Sequence, residues 1–433
     1  MPHLLPSNRR LVVQGNFFAV VFFSLWLLCA AVTNGQVSTN GEYDYFLGEV
    51  LVKFKSDASE AKISQLNGTI GGEIIDRFSG DPNLYHIKVP ETLGVGTAVS
   101  FYTNEDSVAL AEPNIAYSTQ VVPNDPSFSR QYALQKIQAP GAWDTVVGDY
   151  GAVLADTDTG MDYNHADLAP NLWTNTGEIC GNGIDDDGNG LVDDCFGWDF
   201  FNNNNNPMDT VGHGSHTAGI MGAAGNNGIG IAGVVWNAQV MPLKIGSGTS
   251  ISNAAAIKAI DYAWSMGAWA INASWGGRGF SQLLKDAIDR AGSAGVLFIA
   301  AAGNNGTNND TTPFYPANYN SPNVISVAST TSTDARASSS NYGARTVHLG
   351  APGAAVFSTY RSGGYATMSG TSMAAPHVTG AVGLIWSYNP FLPSDTIKSI
   401  ILNSVDSIPS LQGRTVSGGR LNLKKAIQNT PAP

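Results

Sequence analysis

Downstream of Pro123, short apolar segments alternate with longer amphipathic ones, and this alternation limits the fold more than any other feature of the 433-residue chain. The apolar segments have the length of strands and lie at 152–155, 240–245, 268–274, 296–302 and 324–328. Amphipathic segments at 253–266 and 282–294 predict helices, the second of them capped by Ser281. Strands that alternate with helices form a mostly parallel sheet covered by helices on both faces. The sequence therefore predicts a three-layer α/β domain.

Residues 43–120 follow a different pattern and predict a smaller domain of their own. Strand-like segments lie at 50–54, 73–78, 84–89 and 108–117, and helix-like segments at 59–66 and 96–104. Their order, β-α-β-β-α-β, is typical of a ferredoxin-like α+β domain, which by itself indicates no function. We therefore expect two folded domains, at 43–120 and 123–428, followed by a short tail at 429–433.

The first 35 residues have the pattern of a secretory signal peptide. Arg9 and Arg10 precede an apolar run at 17–32, and small residues follow that run. Because the run is at the short end for a membrane-spanning helix, we expect a cleaved signal at 1–35 and a secreted protein. An uncleaved N-terminal anchor is the alternative.

The composition limits the classes of binding partner and indicates whether the cysteines form a disulfide. The net charge of −12 argues against nucleic acid or an anionic membrane as a partner, and we expect a monomer without stable membrane association. Outside the signal segment the chain has two cysteines, Cys180 and Cys195. In the oxidising compartment that secretion implies, they are expected to form one disulfide.

Four polar residues stand where strands end or helices begin. Ser372, in GTSMAAP, opens an apolar helix, where free N–H groups and the positive end of the helix dipole can stabilise an oxyanion. Asp158 and Asn304 each follow a predicted strand, and His213 opens a helix in HGSHTAG. Each motif alone is usually structural. Together, in this order and flanked by small residues, they indicate a catalytic site at the carboxyl ends of the strands.

These motifs carry a resemblance to a known family. From about residue 123 to 428 the chain resembles a subtilisin-type serine peptidase (subtilase), through the blocks around Asp158, His213 and Ser372 in the order Asp, His, Ser. Residues 43–120 resemble the inhibitor-type propeptide of that family. The resemblance implies hydrolysis of peptide bonds in protein substrates. It also implies a propeptide that assists folding, inhibits the enzyme intramolecularly and is removed by autocleavage within 117–123.

The resemblance also implies a role for each residue. Ser372 is the nucleophile, His213 its general base, and Asp158 the group that orients and stabilises His213. Asn304 and the backbone N–H of Ser372 donate to the oxyanion. The substrate is expected to bind as an added β-strand. The predicted substrate-binding residues are Gly248, Ser274, Trp275 and Gly276.

Asp156 departs from the family pattern, in which the strand is apolar up to the catalytic Asp. On a regular strand it shares a face with Asp158. We expect Asp156 to have structural partners and not to be a second catalytic acid. It leaves one alternative open, a catalytically impaired binding or scaffold protein with the same fold. An esterase of the α/β-hydrolase type is disfavoured, because that class needs the order Ser, Asp, His and a Gly-x-Ser-x-Gly motif.

An acidic segment, DDDGNGLVDD at 185–194, predicts one structural Ca²⁺. Oxygen-bearing side chains occupy loop positions 1, 3 and 5, with Gly at position 6, as in calcium loops. Phe196 stands where the EF-hand has its Glu, so a solvated acidic turn is the alternative. The predicted ligands are Asp185, Asp187, Asn189 and either Asp193 or Asp194.

Overall fold

The computed structural model describes residues 37–39, 44–117 and 121–433. The predicted signal peptide at 1–35 lies outside these residues, as does 118–120 within the predicted autocleavage segment. The chain divides into two compact units, Met1–Thr119 and Gln120–Pro433.

The N-terminal unit is an antiparallel sheet with two helices. Its elements are β1 (Val37–Thr39), β2 (Asp44–Phe54), α1 (Glu60–Ile70), β3 (Glu73–Arg77), β4 (Leu84–Lys88), α2 (Val95–Thr103) and β5 (Val108–Ile115). The strands pair in the order β5-β2-β4-β3, and β1 pairs with the start of β2. Helix α1 is capped at its N-terminus by Ser59, whose side chain accepts the Lys62 N–H, and at its C-terminus by Gly71 in the left-handed region. The order of elements confirms the predicted ferredoxin-like arrangement.

The C-terminal unit holds the remaining elements. They are α3 (Tyr132–Lys136), α4 (Ala139–Trp143), β6 (Gly148–Asp158), β7 (Trp198–Asp199), α5 (His213–Gly222), β8 (Asn237–Lys244), β9 (Gly246–Ser247), β10 (Ser250–Ile251), α6 (Asn253–Ser265), β11 (Ala270–Ala273), α7 (Gln282–Ser293), β12 (Leu297–Ala301), β13 (Val324–Thr330), β14 (Leu349–Pro352), β15 (Val356–Tyr360), β16 (Gly364–Met368), α8 (Thr371–Tyr388), α9 (Ser394–Asn403), β17 (Asp406–Ser407), β18 (Gly419–Arg420) and α10 (Leu423–Gln428). Short 3₁₀ helices lie at Phe128–Arg130 and Ala169–Asn171.

A large sheet forms the middle layer of this unit. Within the described residues its strand order is β17-β18-β14-β13-β12-β11-β6-β8-β7, and all pairs are parallel except β17 with β18. Every residue of β11, β12, β13 and β14 is buried, because helices cover the sheet on both faces. One apolar core joins the sheet to α5, α8 and α9, and a second joins it to α6 and α7. The predicted three-layer α/β fold is confirmed.

Candidate active site

A cleft of about 1050 Å³ opens at the carboxyl ends of the central strands. Asp158 ends β6, His213 begins α5, and Ser372 is the second residue of α8. The cleft walls include all four residues proposed for catalysis and all four proposed for substrate binding: Asp158, His213, Asn304, Ser372, Gly248, Ser274, Trp275 and Gly276. Residues that lie far apart in the sequence therefore meet in one cavity, as expected for a parallel sheet.

The side chains of Asp158 and His213 are joined by a close hydrogen-bonding contact. The Nδ1 atom of His213 lies 2.7 Å and 2.9 Å from the two carboxylate oxygens of Asp158, which is 2% exposed. An ionised carboxylate only accepts, so Nδ1 donates and the other ring nitrogen, Nε2, is left to act as a base. Burial lowers the pKa of His213, but the charge and hydrogen bond of Asp158, with smaller contributions from Asp156 and Asp209, raise it to about 9.

Asp209 fixes the start of the helix that carries His213, and the sequence analysis missed it. One carboxylate oxygen accepts the N–H groups of Val211 and Gly212, and the other accepts the N–H and hydroxyl of Ser215. These contacts satisfy N–H groups that a helix start leaves unpaired. Because the N-cap residue is Gly212 and not Asp209, the usual capping pattern does not identify Asp209 from the sequence.

Ser372 and Ser274 exchange two hydrogen bonds across the cleft floor. The Ser372 hydroxyl donates to the Ser274 carbonyl oxygen at 2.9 Å, and the Ser274 hydroxyl donates to the Ser372 carbonyl oxygen at 2.8 Å. In the described part of the chain, no hydrogen bond joins Ser372 to His213. Catalytic hydrogen bonds of this kind often align only when substrate is bound.

Asn304 is held so that its amide nitrogen stays free. Its Oδ1 accepts the backbone N–H and the hydroxyl of Thr371, at 2.8 Å and 3.1 Å. Among the described residues, neither Asn304 Nδ2 nor the backbone N–H of Ser372 donates a hydrogen bond. Asn304 Nδ2 also lies close to Gly370, directly before the helix of Ser372. Two donors are thus available beside the Ser372 hydroxyl, an arrangement that could stabilise an oxyanion.

Two backbone segments contribute the predicted substrate-binding residues. Gly248 lies between β9 and β10, where its φ of 61° suits glycine. Ser274, Trp275 and Gly276 follow β11, and the Trp275 indole donates to the Thr157 carbonyl oxygen at 2.8 Å. A Cβ on Gly276 would lie 2.4 Å from the Phe314 ring, so only glycine fits there.

The acidic segment is closed by the predicted disulfide between Cys180 and Cys195. The structure brings together carboxylate oxygens of Glu178, Asp187 and Asp194, all within 4.8 Å of one another. Glu178 was missed because it precedes the acidic motif by several residues.

The other proposed calcium ligands have different contacts. Asp185 accepts the N–H groups of Asn189 and Gly190. Asp193 accepts three successive N–H groups, of residues 181, 182 and 183. The Asn189 side chain donates to Asp187 and Asp194. Asp185, Asn189 and Asp193 therefore stabilise the loop around the three clustered carboxylates.

Comparison with known proteins decides the family. Residues 149–424 match the model of the subtilase family, which covers more than half of the chain. The chain belongs to the subtilase family. Residues 31–114 match the N-terminal prodomain of fervidolysin, so the N-terminal unit of this subtilase corresponds to a propeptide.

Individual relatives agree with this assignment. The subtilase is 42% identical to thermitase of Thermoactinomyces vulgaris over 311 residues, which cover 71% of this chain and 99% of thermitase. It is 35% identical to a thermophilic serine proteinase of Bacillus sp. over 391 residues, 88% of each chain. A solved protease of Pseudoalteromonas arctica superposes with a TM-score of 0.61 at 30% identity, over 72% of this chain and all of that one.

The family and its relatives identify the protein as a serine endopeptidase made with an N-terminal propeptide. The Bacillus relative is named as a serine proteinase and the Pseudoalteromonas structure as a protease, which favours an active enzyme over the binding or scaffold alternative. In the part of the chain that the structure describes, no helix has the length and apolar content needed to cross a bilayer.

Proposed function

We propose that this subtilase is a secreted endopeptidase, made as a self-inhibited zymogen, whose chemistry is carried by Asp158, His213 and Ser372. The observation that carries the proposal is the 2.7 Å contact between His213 Nδ1 and Asp158. That contact leaves Nε2 of His213 as the base inside a cleft that also contains Ser372 and Asn304.

The first step is attack of Ser372 Oγ on the carbonyl carbon of the scissile peptide bond. His213 Nε2 takes the hydroxyl proton, and Asp158 stabilises the imidazolium that forms. His213 then gives this proton to the leaving amine, so that the peptide C–N bond breaks and an acyl-enzyme remains. A water molecule, deprotonated by the same histidine, hydrolyses the acyl-enzyme and regenerates Ser372.

The negative charge of each tetrahedral intermediate develops on the former carbonyl oxygen. Asn304 Nδ2 and the backbone N–H of Ser372 are the donors proposed for it. The Asn304 side chain is already fixed by Thr371, so it needs little reorganisation during the reaction.

The substrate is proposed to bind as an extended strand along the cleft walls that contain Gly248 and Ser274–Gly276. Backbone pairing of this type favours extended, accessible protein segments over a particular sequence. Secretion and removal of the propeptide by autocleavage within 117–123 complete the proposal. They are supported by the match of residues 31–114 to a prodomain and by the N-terminal signal pattern.

A structural calcium ion is proposed for the acidic loop. Glu178 and Asp194 are buried, and bringing three carboxylates so close is costly unless a cation compensates their charge. Ca²⁺ prefers carboxylate oxygens, so the cluster fits this ion. Glu178, Asp187 and Asp194 would hold it, and the ion would stabilise the loop without taking part in hydrolysis.

Covalent labelling tests the proposed nucleophile. A sulfonyl fluoride should inactivate the enzyme, and peptide mass spectrometry should locate the adduct on Ser372. His213→Ala and Asp158→Asn should react far more slowly, because the hydroxyl is no longer activated. An adduct on another serine, or equal labelling of all three proteins, would contradict the assignment.

A further inference from the structure

Asp156 is a buried carboxyl group beside the proposed triad, yet it takes no part in the mechanism above. It lies in β6 and is 2% exposed. Its Oδ1 is 2.9 Å from the side-chain nitrogen of Asn272, in β11. Its Oδ2 is 2.8 Å from the hydroxyl of Thr217, in α5. Each oxygen therefore contacts a different element next to the cleft.

A chain of hydrogen bonds connects one oxygen of Asp156 to Ser372. The Asn272 amide nitrogen has two protons and donates one to Asp156 and one to the Ser274 hydroxyl, at 2.9 Å each. The Ser274 hydroxyl in turn donates to the carbonyl oxygen of Ser372. That oxygen is available because Pro376, four residues later in α8, has no N–H to complete the helical hydrogen bond.

The other oxygen of Asp156 contacts Thr217, which lies in the same helix as His213, one turn after that residue. Its hydroxyl lies 2.8 Å from Asp156, 2.9 Å from the Gly214 carbonyl oxygen and 3.3 Å from the His213 carbonyl oxygen. A hydroxyl has one proton to donate. If Asp156 were ionised, the hydroxyl would donate that proton to the carboxylate. The 2.9 Å contact with the Gly214 carbonyl oxygen would then bring two oxygen atoms together with no proton between them.

A proton on Asp156 removes this conflict. The acid then donates to the Thr217 hydroxyl, and Thr217 donates to the Gly214 carbonyl oxygen, so both short contacts become hydrogen bonds. The other oxygen of Asp156 still accepts from Asn272. Every described polar atom of this group then has a partner of the right kind, as buried polar atoms generally require.

We propose that Asp156 is a neutral carboxylic acid that acts as a positioning residue, linking the helix of His213 to the turn of Ser372 through Thr217 and Asn272. The inference deepens the proposed function and rests on its triad. It assigns Asp156 a structural hydrogen-bonding role and no contact with the reacting atoms.

The electrostatic surroundings agree with a neutral acid. Burial, and then the negative charge of Asp158, raise the pKa of Asp156 well above its usual range. The side chains that contact it, Asn272 and Thr217, are uncharged, and His213 is the group of opposite charge that acts on it. An ionised Asp156 would add to the negative charge that raises the pKa of His213, which must be neutral to act as a base.

Asp156→Asn tests the protonation state directly. The amide reproduces the neutral acid, because its oxygen accepts from Asn272 and its nitrogen donates to Thr217. We expect kcat/KM within about threefold of wild type and an unchanged acid limb of the pH profile. An infrared spectrum of the mature wild type at neutral pH should contain the carbonyl band of a protonated carboxylic acid, and Asp156→Asn should lack it.

A matched pair of substitutions at Thr217 tests whether its hydroxyl links Asp156 to the helix of His213. Thr217→Val removes the hydroxyl and leaves the Asp156 proton without an acceptor, so kcat should fall about tenfold to a hundredfold with a smaller change in KM. Thr217→Ser keeps the hydroxyl and should restore kcat. If Val and Ser behave alike, the hydroxyl has no positioning role and the inference is wrong.

Ionisation of Asp156 would give a different set of results. Removal of a real negative charge by Asp156→Asn would lower the pKa of His213 and move the acid limb to lower pH, and no protonated-acid band would be assigned to Asp156. A loss of activity as large as that of Asp158→Asn would also overturn the inference. If Asp158→Asn and Ser372→Ala both stay active, it is the proposed triad that fails.

Discussion

At the scale of single residues, Asn304 is the side chain proposed to donate to the oxyanion. Asn304→Ala should lower kcat by about 10²–10³ and leave KM almost unchanged, because the hydrogen bond forms in the transition state. Steady-state kinetics on a peptide amide measure both constants. Asn305→Ala, at an exposed neighbouring position, is the control and should behave like wild type. A rise in KM with kcat unchanged would instead assign Asn304 to ground-state binding.

The surroundings of His213 predict how enzyme activity depends on pH. Burial lowers the pKa of His213, but the charge and hydrogen bond of Asp158, with smaller contributions from an ionised Asp156 and from Asp209, raise it to about 9. A neutral Asp156 adds no charge, so about 9 is the upper limit. Only the neutral imidazole accepts the proton of Ser372, so activity should rise with pH. We expect the acid limb of kcat/KM above the ordinary histidine value of about 6.5 and no higher than about 9. A limb below the ordinary value would show that Asp158 does not stabilise the charged ring.

The catalytic residues proposed from the sequence are those that stand in recognisable local motifs. Asp158, His213 and Ser372 each stand in a short block of small residues, so they could be predicted without the fold. Glu178 could not, because only the folded loop brings it to the carboxylates of the acidic motif. The partners of Asp156 were likewise hidden, since Asn272 and Thr217 lie on other elements.

At the scale of elements, the acidic loop between Cys180 and Cys195 makes a prediction about metal removal. A calcium chelator should lower the melting temperature and speed autolysis, because the clustered carboxylates lose the cation that compensates their charge. Glu178→Gln should reduce the response to the chelator, and Asp395→Asn, at an exposed position far along the chain, should leave it unchanged. Calorimetry with and without the chelator measures the effect. Equal melting temperatures would exclude a structural ion.

The sequence located most of the long elements, although not the ten-residue helix α9, and it missed the two-residue strands. The apolar segments of β11, β12 and β13 were visible because both faces of these strands are buried. In contrast, β7, β17 and β18 have two residues each, too few for any periodicity. Their pairing depends on the neighbouring strands that the fold supplies, which no local pattern records.

At the scale of the whole molecule, two buried histidines and one half-buried histidine predict loss of stability in acid. Burial lowers the pKa of His216 and His377 to about 4 and that of His348 to about 3. Below about pH 6.5 these histidines bind protons in the unfolded chain but stay neutral in the folded protein. The free energy of unfolding therefore decreases as pH falls. Each histidine contributes about 1.4 kcal/mol per pH unit until its folded pKa is reached.

Chemical denaturation measures this effect. The inactive Ser372→Ala protein should be used, since it does not digest itself. Its free energy of unfolding should decrease steadily between about pH 6.5 and about pH 4. A constant value over that range would mean that the three histidines titrate alike in the folded and unfolded states.

The zymogen account unites the two units of the chain, and mass spectrometry of the purified protein tests it most directly. The wild type should lose about residues 1–120 and digest casein, because Ser372 cuts the segment that follows the propeptide. Ser372→Ala should retain the propeptide and stay inert. If both proteins stay uncut, or if both are cut at the same bond in a protease-free preparation, the enzyme does not mature itself and the account is wrong.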